Sequence, residues 1–112
     1  MAGYLEATGP ITTAPFDENT AAIHEAVAAP AVTTRKPRLL AAHLTAAGSV
    51  TVTILAGAVA IYGPVTLAVG GKIDLQPAAW GWGDGDAGDE INVQLGGAVQ
   101  VVGAIAVQHI DQ

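Results

Sequence analysis

With 112 residues, of which 51% are hydrophobic but only 4% aromatic, the chain suffices for one domain with a modest core built mainly from Ala and Val. A net charge of −6 argues against nucleic acid as a partner, because phosphate binding needs clustered cations. The absence of cysteine excludes disulfides and thiolate metal sites. No apolar run approaches a membrane span, since the one from Leu55 to Tyr62 contains Gly57 and stops at Gly63-Pro64.

In chain order, residues 1–19 read as an N-terminal arm and residues 20–112 as a β-sandwich domain. The first six residues, Met-Ala-Gly-Tyr-Leu-Glu, lack the basic start and apolar stretch of a signal peptide, which implies synthesis in the cytoplasm. Gly3, Gly9, Pro10 and Pro15 interrupt regular structure in the arm, while Tyr4, Leu5 and Phe16 are anchors for its own domain or for a neighbour. Thr20 to Ala29 is open between two readings. Ile23 and Val27 stand four apart among alanines, as in a helix, yet Ile23, Glu25 and Val27 also alternate as in a strand.

From Arg38 the strand signal is clear, because apolar residues recur at every second position between turn residues. Arg38 to Thr45 forms one strand, with Leu40, Ala42 and Leu44 on one face and Leu39, Ala41 and His43 on the other. Ser49 to Leu55 follows the Ala47-Gly48 turn. Ala58 to Tyr62 and Val65 to Val69 read as two strands separated by a Gly63-Pro64 turn. After Gly70-Gly71 come Lys72 to Leu75, a loop from Ala78 to Asp89, Glu90 to Leu95, the Gly96-Gly97 turn and Ala98 to His109. This many short strands predicts an all-β fold, a single β-sandwich of jelly-roll type with an extended N-terminal arm. Leu55 and Val102 fall on the nominally outward strand face, and together with the small-residue core they suggest assembly into a trimer.

Residues of the kinds that carry chemistry are few. Asp84, Asp86, Asp89 and Glu90 crowd one loop and supply hard oxygen ligands, but they depart from the spacing of an EF-hand, and Asp with Gly is also ordinary turn chemistry. Three of the four cations, Arg35, Lys36 and Arg38, form a basic spot that could meet this loop across a subunit boundary, or stay solvated. Trp80 and Trp82 could form a sugar-stacking platform; in an aromatic-poor chain they more readily close an open end of the sandwich, with the indole N–H on a backbone carbonyl. His24, His43 and His109 have no metal-ligand spacing, and Ser49, the sole serine, lacks a nucleophile-elbow context. The residues therefore point to no catalytic, metal or cofactor site and to a protein that is not an enzyme.

The run Ile23-His-Glu-Ala-Val27, followed by Thr33-Thr34, Pro37-Arg38 and the strand from Leu39, resembles small virion proteins of tailed phages. Val-Thr-Val-Thr at 50–53, Gly-Pro-Val-Thr-Leu at 63–67, Gly70-Gly71, Trp80-Gly81 and Gly96-Gly-Ala-Val99 extend the likeness to about Gln108. The resemblance implies a β-sandwich decoration, or cement, protein, often trimeric at local threefold axes, in which Ile23 to Val27 is a strand. It implies a place on the capsid surface of the virion, with the major capsid protein and further copies of the chain as partners, and neither nucleic acid nor membrane. Such proteins act by surface contact, so no functional residue carries over. Tyr4, Leu5, Phe16, Arg35, Lys36, Arg38, Asp84, Asp86 and Asp89 are the interface candidates. The alternatives are a head-spike, neck or tail-fibre module, or a carbohydrate-binding sandwich that uses Trp80 and Trp82.

Overall fold

The computed structural model describes residues 9–78 and 80–111. Their regular structure is entirely strand: β1 (Ile11–Glu18), β2 (Ile23–Val27), β3 (Lys36–Ala46), β4 (Val50–Ala56), β5 (Val59–Leu67), β6 (Lys72–Leu75), β7 (Gly83–Asp84), β8 (Ile91–Leu95) and β9 (Val101–Ile110). Two antiparallel sheets pack face to face. One runs β1-β9-β3-β6, with the short β7 also on β3; the other runs β2-β8-β4-β5. No helix long and apolar enough to cross a membrane occurs among the described residues.

The core lies between the sheets. Leu39, Ala42, Leu44, Val101, Ile105 and Val107 face it from the first sheet, and Val52, Ile54, Ile91, Val93 and Leu95 from the second. Leu, Ile and Val fill most of the space. Several alanines lie instead on the outward face of the first sheet, where Ala41 pairs with Ala106 and His43 with Ala104.

Three features, the first, third and fourth below, differ from the sequence reading, and the second decides between the two readings left open. First, Ile11–Glu18 is a full edge strand along β9, although Pro10 and Pro15 suggested an irregular arm. An edge strand tolerates proline because only one of its sides is paired. Phe16, offered above as a docking anchor, is 4% exposed and belongs to the core, with its ring edge-on to His24. Tyr4 and Leu5 lie outside the described residues. Second, Ile23–Val27 is a strand on β8, so ladder pairing overrides the helix propensity of its alanines.

Third, a bulge between Leu39 and Ala41 breaks the alternation in β3 and puts Leu39, not Leu40, on the core face with Ala42 and Leu44. Fourth, Gly63-Pro64 does not turn the chain. Val59–Leu67 is one strand along β4, and the extra residues are absorbed by register shifts at Val52/Ile54 and Ile54/Leu55. Leu55, expected on the outer face, is buried, whereas Val102 is 40% exposed.

Gly103, opposite Phe16 in the ladder, has φ of 154°, and a Cβ there would collide with the carbonyl oxygen of His43 on β3. Close approach of β9 to β3 thus depends on a missing side chain. Because Phe16 fills core space from the edge strand, Phe16→Ala should cost about 3 kcal/mol or more in chemical denaturation. Deleting residues 1–19 should destabilise the domain rather than merely remove an appendage.

Candidate functional site

The two ends of the sandwich differ in charge. One end collects the loop between β2 and β3, the loop from β7 to β8, the turn after β4 and the end of β9. Gly85 N–H donates to Pro37 O, Gly88 N–H to Arg35 O and Gly57 N–H to Glu90 O, which ties these segments together. A side chain at Gly85 would strike both Ala56 and Pro37, one from each sheet, so the acidic loop packs into the seam between the sheets.

The basic spot and the acidic loop meet within one chain. Arg38 donates from Nε to Asp84 Oδ1 at 2.9 Å and from Nη2 to Asp84 Oδ2 at 3.0 Å, and Lys36 Nζ lies 3.2 Å from the same Oδ2. The pairing follows from register, since Arg38 stands opposite Asp84 between β3 and β7. The Arg38 hydrogen bonds hold the Asp84 carboxyl below its ordinary range, opposed by burial and reinforced by Lys36; the same contact raises Arg38. Arg35 pairs with Asp111. Asp89 accepts the Asp86 N–H at 3.0 Å, a local turn bond. Glu90 is lowered by its own backbone N–H and by the Asn92 amide. Asp84, Asp89 and Glu90 thus face separate partners, and no three metal-ligating side chains converge among the described residues.

Beneath this end His109 is buried, and its Nε2 has no hydrogen-bond partner. Burial first, and the nearby positive charge of Arg35 second, push its pKa down.

The turns of the opposite end carry no charge of their own, although charged strand ends flank them: Asp17 Oδ1 accepts from Gln100 Nε2 at 3.0 Å, Glu18 lies 3.5 Å from His24, and Lys72 follows Gly71. The turns at 19–22, 47–49, 68–71 and 96–100 contain no acid, base or histidine. Backbone bonds from Ala47 N–H to Gln100 O, Gly70 N–H to Ala46 O and Leu95 N–H to Ala22 O sew them together, and Val69 stands 76% exposed at the tip.

A third cluster lies along the β6 side of the first sheet. The β3 bulge turns two carbonyls toward the loop after β6: Leu40 O accepts from Ala78 N–H, and Leu39 O accepts from Trp82 N–H. Gly81, with φ of 74°, makes the turn between the two tryptophans. Trp82 donates its indole N–H to Gln76 O at 2.9 Å, yet its ring stays 42% exposed, and Trp80 is 81% exposed. The indole–carbonyl bond matches the sequence reading, but neither ring closes the sandwich. Next to them Asp74 Oδ1 accepts from Gln76 Nε2 at 2.9 Å and from His43 Nδ1 at 2.7 Å. A depression of about 170 Å³, lined by His43, Leu44, Thr45, Lys72, Ile73 and Asp74, continues this row. Sequence reasoning missed the His43–Asp74 pair because it depends on the register of β3 with β6 across a long intervening segment.

No protein-family model matches the chain, and neither does any curated protein or solved structure.

Two outcomes follow from the charged end. His109 has a folded pKa below its unfolded value of 6.5, so the unfolded chain takes up the proton first. Its contribution is complete above pH 6.5 and is lost as the pH falls. The urea midpoint should therefore drop between about pH 7 and pH 5 in the parent, and much less in His109→Gln. Asp84→Asn leaves Arg38 and Lys36 without their anion and should lower stability by about 1 kcal/mol, an effect that salt reduces. That loss should appear in the melting of a single chain and not only in its assembly.

Proposed function

We propose that the chain is a structural protein of a tailed-phage virion, a decoration or cement protein that binds the lattice of the major capsid protein as an oligomer, most simply a trimer, and stabilises the head. The strand order carries this reading. We read the series β1-β9-β3-β6 facing β2-β8-β4-β5 as a jelly-roll order, two Greek keys shared between the sheets. Viral capsid domains are one of the groups that use this architecture.

The surface fits a protein that works by contact. Ion pairs within the chain occupy Arg35, Lys36, Arg38 and Asp84, so these former interface candidates need no partner for their charge. The turns around Val69 carry no charge of their own and offer a chain of net charge −6 a neutral surface toward another protein. In this reading each copy places those turns on the shell, and symmetry repeats a modest contact many times.

Counting copies in purified virions by quantitative mass spectrometry, with a reconstruction to locate the density, tests the proposal. A cement protein covers the head in high copy number; density confined to the neck, a spike or a tail fibre assigns the chain to one of those modules instead. Val69→Asp adds charge at a residue that is 76% exposed. It should leave the melting temperature nearly unchanged and reduce occupancy of the shell by about tenfold or more, the effect of burying an unpaired charge at a contact.

A further inference from the structure

We infer that the loop carrying Trp80 and Trp82, together with the Gln76–Asp74–His43 row beside it, is a binding site for a neutral pyranose saccharide. The inference is independent of the virion reading.

The cost of Trp80 is the first argument. A chain with two tryptophans, two tyrosines and one phenylalanine leaves its most apolar surface 81% exposed, on a loop held to β3 by two backbone hydrogen bonds. An exposed indole on an anchored loop is a flat face offered to a partner.

The second argument is what surrounds it. In the segment from Gly71 to Glu90 the two tryptophans are the only exposed large hydrophobic residues among those described, because Ile73 and Leu75 point into the core. Here the frame is polar and already ordered. Asp74 Oδ1 is held from both sides by His43 and Gln76, while its Oδ2 has no hydrogen bond among the described residues. Trp82 is oriented by its indole bond to Gln76 O. A pyranose presents the matching pair of features, an apolar C–H face for an indole and a rim of hydroxyls for a carboxylate and an amide.

Length and charge narrow the class. From Lys72 through β6 to Gln76 the extended chain spans about 13 Å, at roughly 3.3 Å per residue, so the row and the depression accommodate a short oligosaccharide rather than a single ring. The Arg38 guanidinium near the loop is already engaged by Asp84; of the charges lining the depression, Asp74 stands on the tryptophan side and Lys72 at the far end, in a chain of net charge −6. Sialylated and uronate-bearing glycans are thereby disfavoured.

The test is a glycan array carrying neutral, sialylated and uronate-bearing oligosaccharides, probed with the full chain. Tryptophan-fluorescence titration with the strongest neutral hit then gives an affinity. The expected result is binding to neutral glycans, weakened about tenfold or more in Trp80→Ala and in Asp74→Asn, with an unchanged melting temperature. Trp80 is too exposed for its loss to unfold the chain, so Trp80→Ala is the decisive variant. Binding to no neutral glycan, binding to anionic glycans alone, or binding that survives Trp80→Ala would each overturn the inference. So would a Trp80→Ala protein that loses occupancy on the virion while the parent binds no glycan, because the loop then serves a protein contact.

Discussion

The ladder between β3 and β9 is the interaction on which the rest of the structure hangs. Ten residue pairs, from Lys36↔Ile110 to Ala46↔Val101, join β3 to the last strand of the chain. β1 attaches to the free side of β9, and β6 and β7 attach to the free side of β3, so each depends on that central pair. The pairing is non-local, and its loop-closure entropy is met before most of its contacts form. Small residues permit it: Gly103 lets the strands approach where a Cβ would strike His43 O, and Ala41, Ala104 and Ala106 keep the outer face flat.

The same strand also explains the placement of the tryptophan loop. The bulge at Leu40 ends the pairing of β3 with β6, which covers Ala42 to Thr45, before the pairing with β7 at Arg38 and Leu39 begins. Between them Leu39 O and Leu40 O are satisfied by the loop itself. Those bonds at Ala78 and Trp82 hold the loop to β3 on either side of Trp80. Trp80 is exposed because the backbone around it is committed elsewhere.

Alternation made most strands legible in the sequence, because a half-buried strand must repeat at period two. It failed where pairing, not pattern, decides. Nothing local in Leu39-Leu40-Ala41 marks the bulge that exchanges which leucine enters the core. Nothing in Gly63-Pro64 tells a turn from an absorbed irregularity, and two prolines hid β1 because propensity penalises them without knowing that the strand lies at an edge. At the candidate site, the composition of the acidic loop and of the basic spot was readable, but their union at Asp84 needed the register of β3 with β7. The burial of His109 was invisible for a similar reason: it follows from which face of β9 meets the core.

Edges and ends together decide how such a sandwich can meet other molecules. β1 carries Pro15, β5 carries Gly63 and Pro64, β2 has five residues with a register shift, and β6 has four. Each device blunts an edge against strand addition, since a missing N–H or a kink interrupts the ladder a partner would extend. Ion pairs within the chain meanwhile occupy most of the positive charge of the polar end. Besides the exposed Ile11, Ile23, Val59 and Val102 on its strands, the fold leaves loop surface open to partners: the turns around Val69 at one end, and the tryptophan loop on one side. Recognition by loops on a closed β-scaffold lets the framework stay fixed while contact residues vary. It also accounts for strand patterns that are easy to read and a surface whose role depends on a handful of side chains.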